Sequence, residues 1–206
     1  MDAFEQLAAD LFWADGYWVR NSVRVDLTRA DKHAIGRPSS PRWEIDLVAY
    51  QPLKNELLAL ECKSYLDSGG VHAAHFLRGA KYAHRYKLFH DMALRDVVLN
   101  RLKSQFAEAG LCRDDSAVRL GLVYGHATKG SAQRLTEIFE KEEWPLFGPQ
   151  WVQNQLIRLS RAGYENSTAA VVAKVLLNNR GPAPVVLPSC PTSLPNGRAF
   201  VSAAER

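Results

Sequence analysis

Cysteine is scarce in this 206-residue chain. Cys62, Cys112 and Cys190 are odd in number, widely spaced and form no CxxC pair. That excludes both a disulfide framework and a cysteine-rich zinc site, and leaves reduced thiols as the expectation. Long apolar runs are also missing. No stretch approaches the roughly 18 consecutive apolar residues that a membrane span requires. The acidic, amphipathic and immediately periodic start does not resemble a signal peptide, so a cytoplasmic protein without membrane attachment is expected. No internal repeat is present. With 47% hydrophobic and 23% charged residues, the composition is that of one ordinary globular domain.

The net charge is +4, a mild excess that favours an anionic partner. Its distribution is uneven. Between His72 and Lys103 stand Arg78, Lys81, Arg85, Lys87, Arg95, Arg101 and Lys103 against only Asp91 and Asp96, a local balance of +5. Tyr82, Tyr86 and Phe89 are interleaved with these charges. Aromatic and basic residues together suit nucleic acid, with Arg78, Lys81, Arg85 and Lys87 as candidate phosphate contacts. A helix with an aromatic core stripe and solvated charges accounts for them equally well.

Phe4, Leu7, Ala8, Leu11 and Phe12 fall at i, i+3, i+4, i+7 and i+8, which predicts a first helix ending at Gly16. Tyr17 to Val25 reads as a strand and Asp26 to Pro41 as a loop. Two apolar runs, Trp43 to Tyr50 and Glu56 to Tyr65, are separated by Gln51-Pro52-Leu53-Lys54-Asn55 and form a hairpin. A helical pattern in two pieces follows Gly70 and ends at Gly110. Val118 to Tyr124 reads as a buried strand, and Ser131 as the cap of another helix. A short strand at Trp144 to Phe147 precedes helices over 151–159 and 164–178. The order predicts an α/β fold, a central mixed β-sheet flanked by helices on both faces. Residues 1–180 are expected to form the domain. Prolines at 182, 184, 188, 191 and 195 mark 181–206 as a flexible tail.

The hairpin carries the chemistry. Symmetry about Leu53 and Lys54 sets Asp46 opposite Glu61, with Cβ atoms roughly 4.5 to 5.5 Å apart on one face. Alternation brings Lys63 to the Glu61 face and turns Leu60, Cys62 and Ser64 away. Two facing carboxylates repel, and a divalent cation resolves the conflict. Mg²⁺ takes one or two protein carboxylates and keeps sites for water and a phosphate oxygen. Lys63 can orient that water or stabilise developing charge.

The segments Glu44-Ile45-Asp46-Leu47-Val48 and Leu58-Ala59-Leu60-Glu61-Cys62-Lys63 resemble the D…ExK signature of the PD-(D/E)xK, or restriction-endonuclease-like, nuclease superfamily. Mrr-like restriction enzymes and archaeal-type Holliday junction resolvases are members of it. The resemblance covers approximately the first 125 residues, and departs from the family name in having Ile45 before Asp46 where the proline would stand. It implies a metal-dependent phosphodiesterase, an endonuclease rather than an exonuclease, with Asp46, Glu61 and Lys63 catalytic. It also implies Mg²⁺ or Mn²⁺ as cofactor and nucleic acid, in the first place DNA, as partner, in restriction, defence or repair. A homodimer is admissible. The Cys62 backbone carbonyl and Glu5, in Phe4-Glu5-Gln6-Leu7, are implied as further metal ligands.

Plainer readings stand beside these. Glu5 at the flank of the helical face is also a surface carboxylate favoured by a helix N-terminus. Glu44 reads as solvated. His72 and His75 are spaced to share a metal but lack a third ligand, and His84 and His90 belong with the basic surface. The Cys62 side chain reads as an ordinary buried thiol. A catalytically silent nucleic-acid-binding or assembly module of the same fold, and an RNA-directed nuclease, are the competing functions.

Overall fold

The computed structural model describes residues 2–36, 39, 43–77 and 79–178. Helix α1 (Ala3–Ala14) begins with a capping box. The Asp2 carboxylate accepts from the amides of Phe4 and Glu5, both at 2.8 Å, and Glu5 Oε2 accepts from the Asp2 amide at 3.1 Å. Gly16, at φ +82°, ends the segment in a conformation that a side chain would strain. Strand β1 (Trp18–Val25) follows. The expected loop after it contains a helix, α2 (Arg29–Ala34), because Thr28 and Asp31 form a second capping box that composition alone conceals.

Strands β2 (Trp43–Gln51) and β3 (Glu56–Lys63) form the expected hairpin across a four-residue loop. Asn55 takes φ +50° there, and its side-chain oxygen accepts from Tyr50 Oη at 3.1 Å and Ser116 Oγ at 2.6 Å, fixing the turn. The helical pattern expected after Gly70 is corrected for its first half. Residues 71–90 run as a bridge from Val71 to Ala127, two 3₁₀ turns (Ala73–Phe76 and Ala83–Tyr86) and one α turn, α3 (Lys87–His90). Gly79, at φ +78°, interrupts the path, and aromatic packing replaces the helical ladder. Only α4 (Met92–Glu108) is long, capped by Asp91 through the Leu94 amide at 3.0 Å.

Strand β4 (Ala117–Tyr124), helix α5 (Ser131–Lys141), strand β5 (Leu146–Phe147) and helices α6 (Pro149–Arg161) and α7 (Thr168–Asn178) complete the order. Ser131 is the first residue of α5, not its cap. Gly130 holds the cap position, and Ser131 Oγ instead accepts from the Ala73 amide at 3.3 Å. The predicted tail 181–206 lies outside the described residues.

The sheet runs β1-β2-β3-β4-β5, antiparallel between the first three strands and parallel from β3 through β5. It is therefore mixed, as expected. One face packs Val48, Tyr50, Leu57, Ala59, Leu122 and Tyr124 against α4 and α5. The other packs Leu47, Ala49, Leu58, Leu60, Cys62 and Val123 against α1. Phe12, fully buried, meets the rings of Tyr17, Phe147 and Trp151 at 5.2, 4.8 and 4.8 Å. Truncating it to alanine costs about 3–5 kcal/mol and would loosen the helix that carries Glu5. Helices α6 and α7 close over the outer side of α1 through Leu11, Leu159, Ala169, Ala170 and Ala173.

Candidate active site

The β2–β3 register pairs Leu47 with Leu60 and Gln51 with Glu56, so the next position along the hairpin faces Asp46 with Glu61. The regular ladder ends there. In its place the Asp46 side chain takes over the backbone's role, Oδ2 accepting from the Cys62 amide at 2.8 Å. The two strands thus part at the residues that carry the charges.

Simple alternation also breaks at Asp46. Ile45 and Val48 belong to one core, whereas Leu47 and Ala49 belong to the other. Strand β1 shows the same break at Ser22, which takes φ +51° where it would face Asp46. Val19 packs toward the α1 side, but Val23 and Val25 pack toward the α4 side. Tyr65, just beyond Lys63, takes φ +45°. Backbone strain in non-glycine residues clusters at functional sites, and two of the four such residues described here flank Asp46 and Lys63. Asp46 stays close enough to Glu5 on α1 for its charge to act on the Glu5 carboxyl, although α1 covers the opposite face of the sheet.

Lys63 Nζ lies 2.6 Å from Glu61 Oε1 and 3.7 Å from Asp46 Oδ2, with each side chain between a fifth and a quarter exposed. An ammonium therefore stands between the two carboxylates, where a cation is most favoured. Burial raises the Glu61 carboxyl above its ordinary range; Lys63 opposes this, and Asp46 adds to it. Burial acts to lower Lys63, but Glu61 and Asp46 outweigh it and hold the ammonium protonated. Burial pushes the Cys62 thiol up, with Asp46, Glu5 and Glu61 adding to the effect. Cys62 sits 4% exposed in the α1 core, as the ordinary buried thiol expected.

The Asp46–Glu61 pair opens on a cleft of about 270 Å³ lined by Trp43, Glu44, His84, Arg85, Tyr86 and Lys87, with Leu88 and Phe89 behind. Arg85 and Lys87, expected as phosphate contacts, reach this cleft. Lys81 does not line it; its ammonium lies 5.4 Å from the Tyr82 ring, and the Arg85 guanidinium lies 5.1 Å from the same ring. Arg78 lies outside the described residues. Two of the other cations belong to the fold. Arg95 bonds the Leu88 carbonyl at 3.2 Å and sits over Trp144, and Arg101 bonds the Asp26 carbonyl at 3.0 Å. Tyr86 and Phe89 follow the core-stripe reading, buried against Phe76 and Phe139.

The remaining candidates separate clearly. Glu44 is exposed at the cleft mouth. His72 and His75 stand with ring centroids 5.0 Å apart. His90 is part-buried, its Nε2 lying 2.6 Å from the His75 carbonyl. Glu5 is held by its capping box, and burial raises its carboxyl, with the Asp46 charge adding. Among the described residues, no three His, Cys, Asp or Glu side chains are gathered to hold a metal. The pair Asp46 and Glu61 supplies the one or two carboxylates that Mg²⁺ uses, and Lys63 marks where positive charge is favoured between them. The residues fit a hard divalent cation with an incomplete protein shell, the remainder being water and substrate.

Sequence reasoning missed His84 and Trp43 as cleft residues and missed Tyr65 and Tyr86 beside Glu61. Only their position near the D…ExK segments could have pointed to Trp43 and Tyr65. The irregular path of residues 71–90 brings the other two in. Comparison of the chain with family models, with curated proteins and with solved structures gives no match.

Proposed function

We propose that this protein is a divalent-metal-dependent phosphodiesterase that cleaves nucleic acid, DNA in the first place, endonucleolytically. The observation that carries the reading is the meeting of Asp46, Glu61 and Lys63 within 3.7 Å at the parted end of a hairpin, beside a cleft with Arg85 and Lys87 on its far wall. The resemblance of the same residues to the PD-(D/E)xK signature points to the same chemistry.

In this reading Asp46 and Glu61 hold Mg²⁺ or Mn²⁺, with the Cys62 carbonyl and Glu5 as the further ligands that the resemblance implies. The bound cation polarises the phosphoryl group and lowers the pKa of water. Asp46 is held in place by the Cys62 amide, so its free oxygen has a fixed direction. Lys63 moves from the carboxylates to the attacking water or the phosphoryl oxygens and offsets charge as it builds. Arg85 and Lys87 hold backbone phosphates along the cleft. Water oxygen bonds to phosphorus as its proton passes to solvent, and the P–O bond to the leaving nucleotide breaks as the departing oxygen takes a proton from solvent.

Calorimetric titration of Mn²⁺ into wild type, Asp46→Asn and Glu61→Gln tests the assignment. Saturable binding by wild type that weakens sharply in both variants is expected. Equal binding by all three would remove the carboxylates from the metal site and favour a catalytically silent binding module.

A further inference from the structure

Tyr86 lies in the wall of the cleft beside Glu61, and its hydroxyl is buried without a hydrogen-bond partner among the described residues. The residue is 2% exposed, and its ring is fixed by Phe76 at 4.5 Å, His75 at 6.1 Å and Phe89 at 6.4 Å. A buried hydroxyl left unpaired bears the full cost of losing water, and native structures rarely keep one without a use. Burial drives the phenol strongly toward its protonated form, with Tyr65 and then Glu61 adding to the effect. It is therefore an O–H donor at any ordinary pH, and it shares the cleft wall with a carboxylate that is already engaged. Glu61 Oε1 is held by Lys63 at 2.6 Å.

We propose that Tyr86 is a positioning residue: its phenol O–H donates to the Glu61 carboxylate when that carboxylate turns from Lys63 to a divalent cation. The inference rests on the metal-dependent reading above and assigns the group that orients one of its ligands. A ligating carboxylate that accepts a second hydrogen bond is fixed in direction, and removing such a partner commonly lowers metal affinity about 10- to 100-fold. The metal-free protein keeps the donor idle, and the loaded site uses it. Tyr65 lies close enough to the same hydroxyl to act on it.

The test is Tyr86→Phe, which removes one oxygen and keeps the ring packing. Without metal its melting temperature is expected to stay close to that of wild type, since the lost hydroxyl makes no well-formed hydrogen bond in that state, Tyr65 being only close enough to act on it. Its Mn²⁺ affinity, measured by calorimetry, is expected to fall about 10- to 100-fold. In a Glu61→Gln background the same change should have no further effect on Mn²⁺ affinity, because Tyr86 acts through Glu61. Wild type that binds Mn²⁺ together with a Tyr86→Phe variant of equal affinity overturns the role of Tyr86 and leaves the phosphodiesterase reading standing. A loss of affinity that is additive with Glu61→Gln overturns it as well. Wild type that takes up no Mn²⁺ overturns both readings.

Discussion

Replacing Lys63 with methionine separates what this residue does for the fold from what it does for chemistry. The ammonium is 2.6 Å from Glu61 and 3.7 Å from Asp46, and all three side chains are about three-quarters buried. Methionine keeps most of the stem but leaves two carboxylates facing each other. Breaking a fully buried pair costs about 3–5 kcal/mol and an exposed one under about 1, so this half-covered group should cost about 2 kcal/mol. In a chain of this size that lowers the melting temperature by about 4–8 °C. Mn²⁺ should reverse the loss, since a ligand at 100 times its Kd stabilises by about 2.7 kcal/mol. The variant should bind Mn²⁺ at least as tightly as wild type, because no ammonium competes for Glu61. Its single-turnover cleavage should nevertheless slow about 10²- to 10³-fold, the effect of losing one electrostatic donor. Differential scanning calorimetry with and without Mn²⁺, followed by single-turnover kinetics, reads all three effects. A variant that cleaves like wild type, or one that loses Mn²⁺ binding, would refute this division of labour.

Asp46→Asn retains an oxygen for the Cys62 amide and should melt near wild type, whereas Asp46→Ala orphans that amide and should lose about 1–3 kcal/mol in denaturant titration; equal losses would show the hydrogen bond to be unimportant. The raised Glu61 carboxyl binds its proton more tightly in the folded state than in the unfolded state, so its contribution to stability is present below pH 4.5 and declines as pH rises through its folded pKa. Metal needs the ionised form, so Mn²⁺ affinity should climb with pH beyond the ordinary carboxylate range, and a flat calorimetric profile above pH 4.5 would count against Glu61 as a ligand. Arg85→Glu with Lys87→Glu should weaken nucleic-acid binding and flatten its salt dependence by about 0.9 per lost contact on duplex DNA and about 0.7 on single strands; an unchanged slope would move the phosphate contacts elsewhere.

Local pattern made the hairpin readable. Its apolar strands and the Pro-Asn turn set the register, and the register alone sets Asp46 against Glu61 with Lys63 beside them. The first helix was equally plain, because its apolar period and capping residues agree. Three features were not readable, each for a physical reason. The break in alternation at Ser22 and Asp46 depends on a backbone conformation that neither side chain announces. Residues 71–90 carry a helical pattern, yet tertiary packing of Phe76 and Phe89 on Phe139, with Tyr86 against Phe76, overrides it, and this irregular path is what carries His84, Arg85 and Tyr86 to the site. The basic run looked uniform in sequence, but Arg95 and Arg101 are taken up by backbone carbonyls, so only part of it faces the cleft.

Cleavage itself is the most direct test. Wild type and Glu61→Gln would be incubated with supercoiled, linear, single-stranded and branched DNA and with RNA, each in Mg²⁺, Mn²⁺ and EDTA. The expected result is metal-dependent scission of DNA by wild type, abolished by EDTA and absent in Glu61→Gln. Cleavage that persists in EDTA or in the variant would contradict the assignment of Glu61, and no cleavage of any substrate with either metal would contradict the phosphodiesterase reading as a whole.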